Sequence, residues 1–172
     1  MFQLKYSDEE DKAYGLAGMA ISMASLDALD RITEVYLDSE GPMVVFTHDY
    51  YLPSSPAVSP KAVWNHLMNN LQLTTSLVLG NVMARTLVRL GKQAEAEVLE
   101  QVRGIVREEG RDFCELEQEE ADAVFEKLLH HSLRLFHNPR LHPAVRELAD
   151  VMARRRRLSV IDLAEELQLL RI

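Results

Sequence analysis

One uncharged run, AYGLAGMAISMASL at residues 13–26, most limits what this chain can fold into. The acidic residues before it favour a helix N-terminus and Ser7 can cap that helix, so the pattern predicts a helix over 8–29. The middle of the helix is apolar on every side and rich in Gly, Ala and Ser, which requires burial and lets another element approach closely. Its fourteen uncharged residues are fewer than the roughly 20 that span a membrane. We therefore predict a buried helix.

Two runs rich in β-branched and aromatic residues follow, RITEVYLD and MVVFTHDYYL, joined by SEGP. They predict an antiparallel β-hairpin over residues 31–52. One register places Val35 opposite Phe46 and Leu37 opposite Val44 on one face. Because an isolated hairpin is marginal in water, it must pack on helices or pair with an edge from a second chain.

The remaining chain predicts helices. After a Pro-rich loop at 53–60, Ser59 and Pro60 begin a helical region that ends at Gly91. This region is either one kinked helix from 60 to 90 or two helices that break at QLTT. Further helices are predicted at 92–109, ended by Gly110, at 115–137, ended by Asn138–Pro139, at 143–157, and from a box-like start at Ser159 and Asp162.

The predicted fold class is mainly α (α+β): a bundle of about six to seven helices with one hairpin near residues 31–52. Its 172 residues suit a single domain, 1–172, in which 143–172 could form a C-terminal helical extension. The one cysteine, Cys114, excludes an internal disulfide and fits a reducing compartment. The acidic N-terminal residues do not resemble a secretory signal, so we predict a cytoplasmic protein.

Four of the six histidines fall within HHSLRLFHNPRLHPAV, residues 130–145. A metal site on a helix needs ligands three or four residues apart, whereas His130 and His137 are seven apart and about 10.5 Å distant along the axis. Glu126 and His130 have the right spacing, and His137 and His142 could join them across a tight turn. These four residues are the candidate metal ligands. A solvated helix face and helix end explain them better.

Other chemistries have weaker signals. The neighbours of Cys114, RDFCELEQEE, are mostly carboxylates that raise a thiol pKa, which predicts an inert cysteine. Glycine-rich nucleotide motifs and the GxSxG elbow are absent from the sequence. One aromatic group could wall a ligand pocket, although hairpin and core packing explain it better: Tyr50, Tyr51 and Trp64, with His48 and His66.

The charge is unevenly distributed around a net value of −8. Residues 95–126 hold three Lys/Arg and twelve Asp/Glu, whereas residues 127–157 hold eight and two. Either these segments neutralise each other as antiparallel neighbours, or one of them faces a partner. The candidate interaction residues are Arg154, Arg155, Arg156 and Arg157, although four successive arginines point around a helix axis and make no single face.

These features favour a non-catalytic interaction or structural protein without a cofactor. We predict a homo-oligomer that self-associates through the small-residue helix or the hairpin edge, or a protein that binds another protein. The alternative is a small-molecule or metal-binding protein, an enzyme included, that uses the His-rich helix end 126–142. The third hypothesis is nucleic-acid association through 127–157. Of two helix-turn-helix-like stretches, the first lacks polar base-reading side chains at SLVLGNVM, and the second, SVIDLAEELQLL, shows no recognition helix. We expect no membrane partner.

Overall fold

The computed structural model describes residues 4–38, 43–51 and 59–170. It confirms the predicted fold class, a helical bundle with a β-hairpin, and adds a third strand to the hairpin. The elements in chain order are α1 (Glu9–Ser25), β1 (Ile32–Tyr36), β2 (Val44–Phe46), α2 (His48–Tyr51), α3 (Pro60–Met83), α4 (Ala96–Cys114), α5 (Gln118–Phe136), α6 (His142–Arg155), β3 (Arg157–Ser159) and α7 (Val160–Leu169). A 3₁₀ turn, Leu29–Arg31, precedes β1, and a π-helical segment, Ala84–Arg89, extends α3.

The buried helix predicted from the uncharged run is α1, which packs between α3 and α6. Its cap is Asp8, whose carboxylate accepts a hydrogen bond of 2.7 Å from the backbone N–H of Asp11, so the prediction of Ser7 as the cap is wrong. The backbone N–H of Ser7 instead donates to the Asp11 carboxylate at 3.0 Å. The acidic first turn therefore begins the helix and also binds the residue before it.

Helices α1 and α3 cross with their backbones in contact. A Cβ atom placed on Gly18 would lie 2.1 Å from the carbonyl oxygen of Gly80, and one on Gly80 would lie 2.0 Å from Ser22 Oγ. The small residues of α1 therefore pack against α3 of the same chain, which covers them. The predicted route of self-association through this helix is wrong, whereas self-association itself stays a prediction.

A buried carboxylate ties the start of α1 to the π-helical segment. The Asp11 side chain is 5% exposed and accepts hydrogen bonds from Arg85 Nε at 2.9 Å and Nη2 at 2.6 Å, with Arg89 Nη1 at 3.2 Å. Burial is the largest single effect and raises the pKa of the Asp11 carboxyl, but the hydrogen bonds from Arg85 and the Ser7 backbone and the charges of Arg85 and Arg89 together lower it below the usual value. The Arg85 guanidinium also lies 4.5 Å above the Tyr6 ring.

The three strands form an antiparallel sheet in the order β2-β1-β3. Val35 on the central strand pairs with Val44 on one side and with Leu158 on the other, and all three are buried. The predicted register is wrong by two residues, because Val35 pairs with Val44 and not with Phe46; a bulge near Thr33 then places Phe46 opposite Ile32. A shift of two keeps the same side chains on the buried face.

The long helical region from Pro60 is one helix, because α3 continues into the π-helical segment without a break. The predicted end at Gly91 is confirmed by its left-handed backbone, with φ of 63°. The predicted stop at Gly110 is wrong: α4 continues to Cys114, and Glu115 ends it with φ of 55°. A Cβ atom on Gly110 would lie 3.3 Å from Leu116, so this glycine serves close packing.

The chain's last three elements confirm one prediction and correct another. The capping box of Ser159 and Asp162 forms as predicted and begins α7. The helix predicted to run through Arg157 ends at Arg155, because Arg156 adopts a left-handed conformation with φ of 62°. That residue turns the chain into β3, a strand that the sequence pattern did not predict.

Two apolar clusters fill the interior. The larger one joins α1, the sheet, α3, α6 and α7. The smaller one fixes the α4–α5 pair on the side of α3, through Leu79, Val102, Val106, Ala121, Phe125 and Leu128. Within the ranges that the structure describes, no helix is both long enough and apolar enough to cross a bilayer.

The α1–α3 crossing predicts a large effect for one added methyl group. We expect Gly18→Ala to lower the free energy of unfolding by about 2–3 kcal/mol, because the new Cβ meets backbone that cannot move aside. The matched control is Gly104→Ala in α4, where a Cβ meets nothing within 4 Å. There we expect a gain of about 0.5–1 kcal/mol. Urea denaturation measures both, and equal effects of the two substitutions would contradict the crossing.

The buried carboxylate predicts a second stability effect. We expect Asp11→Asn to lower the free energy of unfolding by about 3 kcal/mol at pH 7, because the substitution leaves two arginines without their buried counter-charge. The pKa of Asp11 is lowered in the folded state, so its contribution is present above 3.8 and declines as pH falls below that value. Urea denaturation from pH 7 to pH 3 should show the free energies of unfolding of the wild type and of Asp11→Asn becoming more similar as the pH falls. Asp112→Asn, at an exposed pair with Arg111, should change nothing measurable.

Candidate functional site

A pocket of about 510 Å³ lies between the hairpin, α1, α3 and the end of α4. One face of α3 supplies much of its wall, at helical spacings of three and four residues: Leu67, Asn70, Leu71, Thr74, Leu77 and Val78. The hairpin and α2 supply Met43, Val44, Phe46 and Tyr50, and α1 supplies Met19. The end of α4 closes the wall with Glu109, Phe113 and Cys114. We call these residues the α3–hairpin pocket.

Hydrogen bonds hold α2 against α3 at this pocket. The Tyr50 hydroxyl lies 2.5 Å from Thr74 Oγ1. The Tyr50 carbonyl accepts hydrogen bonds from Asn70 Nδ2 and from His66 Nε2, the latter at 3.0 Å. This arrangement orients the Asn70 amide, since exchanging its N and O would place two acceptors together. Asn70 Oδ1 is then buried and accepts no hydrogen bond among the described residues.

The wall from α4 combines one carboxylate with one exposed ring. Glu109 is half-buried, and burial raises the pKa of its carboxyl. Phe113, one turn later, is 62% exposed. The Trp64 indole N–H donates to the Cys114 carbonyl at 2.9 Å and so ties the start of α3 to the end of α4. Trp64 is the only tryptophan and adjoins the pocket.

Cys114 has the character that its sequence context predicts. Its thiol is buried, and burial raises the thiol pKa, with the charge of Glu109 as the smaller cause. The sequence indicated the neighbouring carboxylates, whereas the larger cause is the burial itself. A raised pKa leaves little thiolate, which is the reactive form.

The aromatic group predicted near the Pro-rich loop contributes in part. Tyr50 lines the pocket, Trp64 borders it, and His66 binds the Tyr50 carbonyl. His48 begins α2 and is exposed. The side chain of Tyr51 and most of the loop at 53–60 lie outside the described residues.

The first two candidate metal ligands lie on the outer face of α5. Glu126 forms an ion pair with Arg103 of α4, and His130 is exposed. The neighbouring His131 is half-buried and lies 3.2 Å from Ser25 Oγ at the end of α1, as expected for a boundary residue. An exposed imidazole and a carboxylate paired with arginine match the predicted solvated face.

The other two candidate ligands bind helix-terminal carbonyl groups. One ring nitrogen of His137, Nδ1, lies 2.9 Å from the Leu133 carbonyl, and His142 Nε2 lies 2.8 Å from that of Phe136. Across the part of the chain that the structure describes, no three His, Cys, Asp or Glu side chains gather in a way that could hold a metal ion. The structure therefore does not bring Glu126, His130, His137 and His142 together.

The four candidate interaction arginines lie where α6, β3 and α7 meet the hairpin. Three of them form ion pairs inside the chain: Arg155 with Asp162 and Glu166, Arg156 with Glu9 and Asp38, and Arg157 with Glu34. Arg154 is exposed on the outer face of α6. The carboxylates that neutralise this run therefore come from outside the acidic segment 95–126.

The acidic segment forms its ion pairs internally. Arg103 binds Glu100 and Glu126, and Arg107 binds Asp122. Among the described residues, no ion pair joins 95–126 to 127–157. Ion pairs therefore do not support the sequence interpretation in which one segment neutralises the other, and the excess of carboxylates lies on α4 and α5.

Comparisons with protein-family models, with curated proteins and with solved structures found no match to this chain. Function must therefore be inferred from its own geometry. The α3–hairpin pocket is less open and more apolar than a depression of about 650 Å³ on α6, which is lined by charged side chains such as Arg146, Glu147 and Asp150.

The state of Cys114 predicts slow alkylation. At pH 8 we expect iodoacetamide to modify the folded protein at least about tenfold more slowly than free cysteine, because the raised pKa and the burial both limit reactive thiolate. The rate should increase as pH rises, and the urea-unfolded chain should react at the normal rate. Mass spectrometry measures this at one site, because the chain has one cysteine. A folded-state rate equal to that of free cysteine would contradict the assignment.

Proposed function

We propose that this chain is a non-catalytic binding protein whose α3–hairpin pocket takes a small, mostly apolar molecule. The observation that carries the proposal is the pocket itself, whose volume of about 510 Å³ falls among ligand sites of roughly 300–1,000 Å³. Its walls are mostly apolar, and the few polar groups, including Thr74, Asn70 and Glu109, are of the kind that orient a ligand.

The chemistry of the lining supports binding over catalysis. Catalytic sites pair a nucleophile with a base, or an acid with a base, within hydrogen-bond reach. Among the described lining residues, the titratable groups are Glu109, Cys114 and Tyr50, and no hydrogen bond joins any two of them. The lining residues that the structure describes include no histidine that could serve as a base for the thiol.

Self-association remains a separate proposal, made from the sequence. With the small-residue face of α1 covered, the remaining route is an outer strand of the sheet, β2 or β3, each three residues long. Size-exclusion chromatography with light scattering tests it, and a monomer at high concentration would exclude it.

A neutral fluorescent probe, N-phenyl-1-naphthylamine, tests pocket binding directly. We expect saturable enhancement of the probe's fluorescence and a change in the emission of Trp64, which adjoins the pocket. Leu67→Trp should weaken binding at least about tenfold, because a larger ring occupies the space that the ligand would fill. Val78→Phe, on the same wall, provides a second variant should the first one fail to fold.

The matched control introduces the same residue away from the pocket. The control is Ile161→Trp. Ile161 lies on α7, is 69% exposed and does not line the α3–hairpin pocket. We expect this variant to bind the probe as the wild type does. The absence of saturable binding, or equal losses in Leu67→Trp and Ile161→Trp, would exclude the α3–hairpin pocket as the site.

A further inference from the structure

We propose that the α3–hairpin pocket selects lipophilic organic cations, a ligand class that rests on the binding function proposed above. The charge of the lining is one-sided. Glu109 supplies a carboxylate, and the described lining residues include no lysine, arginine or histidine. An anionic ligand such as a fatty acid would meet this carboxylate with no positive side chain to offset it.

The surroundings of Glu109 favour a positively charged guest. Among the described side chains, none forms an ion pair or a hydrogen bond with its carboxylate. Burial raises the pKa of this carboxyl, and the charge of the neighbouring Glu108 adds to the effect. A half-buried carboxylate is poorly compensated by solvent, so a ligand cation beside it gains more than it would in water.

Three aromatic rings in the lining add a second, independent preference for a cation. The rings of Phe46 and Tyr50 stack with centroids 4.1 Å apart and planes 16° apart. Phe113 follows Glu109 by one helical turn and presents an exposed ring on the same wall. Aromatic faces attract organic cations through their quadrupole, and they do not attract anions in this way. The carboxylate and the rings therefore favour the same sign of ligand charge.

The electrostatic potential of the surrounding acidic segment also favours a cation over an anion. Glu109 lies within residues 95–126, which hold twelve carboxylates and only three arginines. The ion pairs of those arginines are formed within the segment. This excess raises the local concentration of cations and lowers that of anions around the α4 wall. Charge selection therefore begins before a ligand enters the pocket.

The test uses two ions of nearly equal size and opposite charge, tetraphenylphosphonium and tetraphenylborate, with N-phenyl-1-naphthylamine as the neutral reference. Because the two ions also differ in hydration, the measured quantity is the ratio of their affinities, obtained by isothermal titration calorimetry. We expect Glu109→Gln to shift this ratio at least about tenfold against the cation, and the affinity of the neutral probe for the same variant corrects for any general change in the pocket.

Glu108→Gln is the matched control, because it removes the same charge from the adjacent position, which is exposed and outside the lining. We expect it to shift the ratio less than about twofold. Phe113→Leu provides a second variant that leaves the charge intact. It should weaken the cation about threefold relative to the neutral probe, because it removes one ring and retains apolar volume.

The outcomes separate the two proposals. If the neutral probe binds and Glu109→Gln leaves the ratio unchanged, cation selection is wrong and the binding function stands. If Glu108→Gln shifts the ratio as much as Glu109→Gln, the effect is one of net charge, and recognition within the pocket is again excluded. If neither the neutral probe nor either ion binds the wild type, the binding function fails, and cation selection fails with it.

Discussion

The backbone contact between Gly18 and Gly80 fixes the geometry on which the other elements depend. Asp11, near the start of α1, meets Arg85, whereas Gly18 and Ser22, later in α1, meet the earlier residue Gly80, so α1 and α3 run antiparallel. From the crossing α1 continues for seven residues, about 10 Å, to Ser25, whereas α3 extends for about 20 Å back to Leu67. The N-terminal part of α3 therefore projects past α1. There the hairpin and α4 replace α1 as its neighbours, and the space between them is the pocket.

Local sequence signals predicted the elements whose causes are local. Ser59–Pro60 begins α3, Asn138–Pro139 follows α5, and Ser159 with Asp162 begins α7, because each of these residues acts on its own turn of backbone. Gly110 shows the limit of such signals. A glycine after an amphipathic stretch predicts a helix end, but here its missing side chain makes room for Leu116, a contact that only the folded chain creates.

Features that depend on distant residues could not be predicted. Strand β3 exists because Leu158 pairs with Val35, more than a hundred residues earlier, and Arg156 takes a left-handed conformation to reach that position. The pocket has the same origin. The stripe from Leu67 to Val78 is visible in the sequence, but it predicts only a buried helix face. That face is partly uncovered because α1 ends before reaching it, and the sequence of α3 alone does not predict where α1 ends.

The distribution of charge is also a product of folding. The basic run near Arg156 neutralises Glu9, Asp38 and Glu34, carboxylates of α1 and the hairpin that local sequence did not associate with it. Because Arg156 and Arg157 form ion pairs with these carboxylates, they do not pair with the carboxylates of residues 95–126. The uncompensated negative charge therefore remains on α4 and α5, beside the wall that carries Glu109. The ion pairs of Arg155, Arg156 and Arg157 thus lie away from the α4 wall, and the charge of that wall comes from its own segment.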